Sequence, residues 1–235
     1  MKCRSYLFEF IPMSPAQPLT ELQTYADEEV LFEQIANNLQ SQGYAICPAS
    51  LPIELGQEIC EQLYGLDETE FTAAGIGRQD QHMHNEFVRT DRICWFTGET
   101  PTGARWLAWA NRLQGYLNRR LFLGLFSFES HLAHYSAGDF YKRHYDAFRD
   151  QRNRVLSMVV YLNPNWGPDD GGELVLYQND ADTEGLKVTP LMGTVVLFLS
   201  EEFPHEVLPA QRDRYSIAGW YRVNGTTPDR VDPPR

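Results

Sequence analysis

Hydrophobic and polar positions follow two different periods along this chain, first helical and then strand-like. From Asp27 to Gln42, the residues Val30, Leu31, Ile35 and Leu39 recur at the spacing of one helix face, and Gly43 suits the stop. "YAIC" (44–47) reads as a short strand, and Pro52 opens a second helix running to about Tyr64. Residues 66–88 are polar and glycine-bearing, which predicts a loop, and "RICWF" (92–96) reads as a strand. A third helix is expected from about Arg105 to Leu121, with Leu107, Ala110, Leu113 and Leu117 on one face.

After that helix the apolar residues fall into short β-rich runs: "FSFESHLAHYS", "FYKRHYDAF", "VLSMVVYLN", "GELVLYQ", "GTVVLFLS", "HEVLPA" and "RYSIAGWYRV". Turn residues separate them, as in "NPNWGPDDGG". Such a succession predicts an antiparallel sandwich or barrel. The expected fold class is therefore α+β with a mainly β core and supporting N-terminal helices. We expect an irregular segment over 1–20 and a single domain over 21–235. Within it, 21–125 gives helical support, 126–223 the β core and 224–235 a short tail.

Composition changes this picture only at the margins. The chain has 235 residues, 43% hydrophobic and 22% charged, enough for a sizeable core. Its net charge of −12 argues against a general nucleic-acid or anionic-membrane surface, although "RDQRNR" (149–154) is locally basic. No apolar run approaches membrane-spanning length. The start, "MKCRSYLFEFIPM", reads as mature sequence, because Glu9 interrupts a short apolar stretch. The scattered cysteines Cys3, Cys47, Cys60 and Cys94 form no CxxC pair and suit reduced thiols in the cytoplasm.

The candidate chemistry lies among six histidines, His82, His84, His131, His134, His144 and His205. In "YKRHYDAFRD" (141–150), strand alternation would send His144 and Asp146 to the same face. His205 closes the apolar strand "GTVVLFLS" within "EEFPHEVLPA", where Pro204 and Pro209 fix the backbone. Two imidazoles and a carboxylate form the facial set that binds non-haem Fe(II) and leaves positions open. A structural zinc would more often recruit cysteine. His82 and His84 read as polar loop residues. Further on, alternation puts Arg214, Ser216, Ala218 and Trp220 on one face of "RYSIAGWYR". An arginine facing inward there is costly without an anion, and its fork suits a carboxylate. The bland alternative is an edge-strand arginine reaching solvent.

Together His144, Asp146, His205 and Arg214 resemble the site of an Fe(II)- and 2-oxoglutarate-dependent dioxygenase. The words "RTDRICW" (89–95), "YLNPNW" (161–166), "GGELVLY" (171–177), "PHEVLPA" (204–210) and "RYSIAGWY" (214–221) are similar to the prolyl 4-hydroxylase branch, in particular the oxygen-sensing type and its bacterial relatives. The resemblance implies a double-stranded β-helix, or jelly-roll, with His144, Asp146 and His205 as iron ligands. It implies that Arg214 binds the distal carboxylate of 2-oxoglutarate with support from Tyr161. It places Tyr135, Tyr141, Leu174, Ser216 and Trp220 around cosubstrate and metal. Asp91 matches a carboxylate beside a mobile finger loop and Arg154 its charged partner, with Arg89 also on the substrate side. Gly75 and Gly77 would then be hinges of a lid over 66–88.

Fe(II), 2-oxoglutarate and O2 are the implied cofactors, with ascorbate a candidate addition. The implied partner is a protein carrying an exposed prolyl loop, with elongation factor Tu the candidate that bacterial relatives suggest. We expect a cytoplasmic monomer with no nucleic-acid or membrane partner. The segment after Asp146, "AFRDQRN", is longer and more charged than in the animal enzymes, so their substrate is not carried over. Three other readings remain at this stage. They are a hydroxylase of a free amino acid or other small metabolite, a catalytically silent sensing module, and a zinc hydrolase. The last has no HExxH-type base and leaves Arg214 unexplained.

Overall fold

The computed structural model describes residues 21–74, 88–147 and 153–226, with side chains from Asp27 onward. Three helices are present: α1 (Glu21–Gln42), α2 (Ile53–Gly65) and α3 (Pro101–Leu121). Eleven strands accompany them among the described residues. They are β1 (Tyr44–Cys47), β2 (Thr72–Ala73), β3 (Arg92–Trp95), β4 (Ser127–Tyr135), β5 (Tyr141–His144), β6 (Arg154–Tyr161), β7 (Leu174–Leu176), β8 (Leu186–Val188), β9 (Val195–Leu199), β10 (His205–Val207) and β11 (Arg214–Arg222). The larger sheet runs β1-β9-β6-β11-β4-β3-β2 and the smaller one β5-β10-β7-β8. All the strand pairings are antiparallel.

Alternation explains how one sheet serves two layers. On β9, Val195 and Leu197 join the helices' core with Ile35, Ile59, Trp106 and Leu113, while Val196 and Phe198 join Leu174, Leu176 and Val207 of the smaller sheet. On β11, Ile217 and Tyr221 face the helices, and Arg214, Ser216, Ala218 and Trp220 line a cavity on the other side. Two facing sheets with helices behind the larger one make the double-stranded β-helix with helical support that was expected.

The structure corrects several boundaries. The third helix begins at Pro101, not near Arg105, because Thr100 caps it by accepting from the Gly103 amide at 3.0 Å and proline suits the first turn. The first helix starts at Glu21, ahead of Asp27. Residues 66–74 are not plain loop: a single 3₁₀ turn (Glu68–Glu70) leads into β2, which pairs with β3. The rest of that expected lid, including Gly75, Gly77, His82 and His84, lies outside the described residues, as does residues 149–152 of the basic stretch. Strand β8 was not foreseen at all. Cys47, Cys60 and Cys94 are free thiols, and burial pushes the Cys60 thiol up to about 11.

Candidate active site

The smaller sheet brings the two histidines together directly. His205 of β10 is the cross-strand partner of His144 of β5, and their rings lie 4.3 Å apart. The expectation that one strand face carries "HYD" needs correction, because β5 ends at His144. The chain bends over Asp146 and returns its carboxylate to the same place. Asp146 Oδ1 lies 3.6 Å from His144 Nε2, and Oδ2 lies 3.5 Å from His205 Nε2. One ligand atom from each residue falls within 4.8 Å of the other two, the one such cluster among the described residues.

Proton placement decides what this cluster can hold. His144 Nδ1 lies 2.8 Å from the Lys142 carbonyl, and His205 Nδ1 lies 3.1 Å from the Phe203 carbonyl. A carbonyl only accepts, so both Nδ1 atoms donate and both Nε2 atoms present lone pairs to Asp146. Burial pushes the His205 imidazole down to about 4, which keeps it neutral. Burial alone would raise the Asp146 carboxyl, yet the positive charge that His205 and His144 carry when protonated, together with Arg154, holds it well below the usual range. Two nitrogen lone pairs aimed at a buried carboxylate repel one another unless a cation sits between them. The residues present therefore fit a divalent metal with open positions.

Supporting contacts were missed in the sequence. Ser157 Oγ donates to Asp146 Oδ2 at 2.6 Å and lies 2.9 Å from Ser200 Oγ. Ser157 stands alone in the apolar run of β6 and Ser200 directly follows that of β9, and a buried hydroxyl needs a partner. That was the available signal. Tyr141 stacks on His144 with ring centres 3.6 Å apart, and the Arg89 guanidinium covers its other side at 4.3 Å.

At the opposite end lies Arg214, 1% exposed. Its Nε donates to the Gly172 carbonyl at 2.8 Å and its NH1 to Ser216 Oγ at 3.2 Å. Gly172, at φ +69°, allows this approach, since a Cβ there would meet Arg214 Cδ at 3.1 Å. The guanidinium sits 4.9 Å from the Tyr135 ring and 5.2 Å from that of Tyr161. Among the described residues no carboxylate pairs with it, and the buried Tyr161 hydroxyl has no hydrogen-bond partner. A buried cation beside an orphaned hydroxyl is chemically incomplete without an anion.

One cavity of about 610 Å³ joins both ends. Its wall includes His144, Asp146, His205, Arg214, Ser216, Tyr135, Tyr141, Leu174, Trp220, Arg89 and Arg154. Tyr161 lies behind that wall under Arg214. Asp91 is also behind it, and its partner differs from expectation: it is bound at both oxygens by Arg89, at 2.7 and 2.5 Å. Arg154 instead pairs with Glu129 at 3.0 Å and lies 3.7 Å from the Trp220 ring.

Comparison with known proteins agrees with this geometry. A profile of the 2OG-Fe(II) oxygenase superfamily matches residues 130–222. A prolyl-4-hydroxylase of Pseudomonas putida is 37% identical with a TM-score of 0.72, the match covering 83% of this chain and 100% of that one. The chain belongs to the Fe(II)- and 2-oxoglutarate-dependent oxygenases, in their prolyl hydroxylase branch. Within that branch, a Trichoplax adhaerens prolyl hydroxylase, solved with a hypoxia inducible factor peptide, is 28% identical with a TM-score of 0.74, covering 87% of this chain and 94% of that one. Human Egl nine homolog 1 is 25% identical over 203 residues, which are 82% of this chain and 47% of that protein. The chain thus spans about half the length of the human and mouse Egl nine homolog 1 proteins it matches. Among the described residues, no helix is long and apolar enough to cross a membrane.

Proposed function

We propose that this protein hydroxylates a prolyl residue of another protein, consuming 2-oxoglutarate and O2 at an Fe(II) held by His144, Asp146 and His205. The observation that carries this reading is one cavity with both a metal-shaped cluster and a buried arginine lacking a carboxylate. When bound, Fe(II) with 2-oxoglutarate and oxygen supplies the oxidising power to replace a C–H bond by C–OH, leaving succinate and carbon dioxide.

The chain's own groups place and enclose. Arg214 and the Tyr161 hydroxyl bind the distal carboxylate, which orients the keto acid toward the metal ligands. Ser157 holds the Asp146 carboxylate, and the two backbone carbonyls hold the imidazoles in the tautomer a metal needs. Tyr135, Tyr141, Leu174 and Trp220 wall the cavity with apolar surface and keep water from the reacting atoms. Arg89, Asp91 and Arg154 are the groups that the resemblance assigns to the substrate side. Ascorbate would serve to keep the metal ferrous. Elongation factor Tu is the first target to try, on the resemblance to bacterial relatives, which also points to the cytoplasm and to a monomer acting alone.

Succinate release in the presence of cell extract tests the substrate class. Extract is split by ultrafiltration, and the retained protein should stimulate succinate formation while the filtrate does not. Stimulation by the filtrate alone would put the free amino acid reading in its place.

A further inference from the structure

The cavity extends well past the groups that a five-carbon diacid can occupy. Along β11 the rows Arg214, Ser216, Ala218 and Trp220 face opposite Tyr135, Ala133, His131 and Glu129 of β4. His131 thus lies four residues from the Arg214 row, roughly 13 Å at the rise of a strand. Neither holding the distal carboxylate nor chelating the metal requires it.

His131 is 3% exposed and lines the cavity. Its ring sits between Trp95, 5.1 Å away edge-on, and Trp220, 5.4 Å away. Its Nδ1 is buried without any hydrogen-bond partner, and among the described residues no group pairs with Nε2 either. Burial, with Arg89 and Arg154 nearby, pushes the imidazole down to about 3, so the ring is neutral and carries one N–H. Placing that hydrogen on Nδ1 would bury a donor with no acceptor, which native structures rarely tolerate. It therefore sits on Nε2, the nitrogen left to face the cavity.

An Xaa-Pro segment is complementary to such a wall. Proline has no backbone N–H, so at that position the main chain offers carbonyl acceptors on either side of the ring nitrogen and no competing donor. Opposite His131, Ala218 leaves space for that backbone. We infer that His131 is a substrate-positioning residue whose Nε2–H donates to a main-chain carbonyl flanking the reacting proline. This inference rests on the proposal that the cavity takes a prolyl substrate.

Two measurements test it. In the full-length Zn(II)-loaded protein with 2-oxoglutarate, ring-¹⁵N histidine NMR follows titration with a short acetylated peptide containing one proline. The Nε2 signal of His131 should move along with backbone signals of Ala218 and Trp220. In turnover with elongation factor Tu, or with whichever extract protein the wild type oxidises, His131→Met should raise the KM for protein roughly 5- to 10-fold, the loss of one hydrogen bond. The KM for 2-oxoglutarate should stay unchanged. His131→Gln, whose amide N–H reaches near the Nε2 position, should recover most of the loss, which a purely structural role would not predict.

Movement of the Ala218 and Trp220 signals without His131 overturns the inference, as does an unchanged protein KM in His131→Met. If no cavity signal moves, the inference falls. A His131 shift in a protein that oxidises no proline upholds the contact and overturns the hydroxylase reading alone.

Discussion

Replacing Arg214 by lysine keeps the charge and removes the fork, which makes it a sharp probe of the cosubstrate end. A guanidinium has five N–H donors. Here Nε serves the Gly172 carbonyl and one NH1 hydrogen serves Ser216, so three remain for a ligand. A lysine ammonium has three donors in all, on one atom, and cannot keep the Gly172 bond while offering a planar pair to a carboxylate. Losing one charge-assisted hydrogen bond costs about 1.5–3 kcal/mol. That is roughly a 10- to 150-fold rise in Kd.

Calorimetric titration of 2-oxoglutarate into the Fe(II)-loaded protein without oxygen measures it. Pyruvate provides the control, because it keeps the 2-oxo acid but lacks the distal carboxylate. Its affinity should be the same in wild type and Arg214→Lys, and metal content should not change. A Kd for 2-oxoglutarate within about 3-fold of wild type, or an equal loss for pyruvate, would refute the assignment of Arg214.

Other expectations concern the metal, the core and acid. Asp146→Ala should abolish metal retention by elemental analysis, whereas Ser157→Ala should weaken it roughly 10- to 100-fold without unfolding the protein. Trp106→Ala removes a fully buried ring stacked 5.6 Å from Trp109 and orphans the Ser130 hydroxyl it binds. Its cost in denaturant unfolding should be about 3–5 kcal/mol. Gly103→Ala should also destabilise the chain, since a Cβ would meet the Thr97 carbonyl oxygen at 2.1 Å. In the metal-free protein His131 and His205 are pushed down to about 3 and about 4. The unfolded chain takes up their protons first, so stability present above pH 6.5 or so is lost as pH falls, at about 1.4 kcal/mol per unit for each histidine. His131→Met should flatten the slope seen in denaturation between pH 6 and pH 4 by one histidine's share.

The sheet core was readable because its strands are apolar in runs or at alternate positions, and burial follows that pattern on β9 and β11. Strand β8 escaped because Leu186 and Lys187 are exposed at a sheet edge, so little burial shapes its three residues. The start of α3 is written in "TPTG" as a cap and a first-turn proline, whereas the apolar face of the helix begins only further on, at Trp106 and Leu107. The convergence of His144 and Asp146 was anticipated for an insufficient reason, since a bend, not alternation, aims the carboxylate. The pairing of Arg154 with Glu129 depends on which strands lie near one another. For Arg154 nothing local in "RNRV" carries that information, whereas Arg89 and Asp91 stand two apart within "RTDRICW", where their pairing could have been read. Ser157 was visible as an isolated polar residue within an apolar run, whereas His131 follows Glu129 and Ser130 and stood out in no such way; only the packing around them gives each a role.

Peptide mass spectrometry after incubation of the purified protein with Fe(II), 2-oxoglutarate, oxygen and cytosolic extract tests the central claim most directly. The account predicts a prolyl peptide gaining one oxygen atom with the wild type and not with Asp146→Ala. Succinate formed with no oxidised proline in any protein would contradict it.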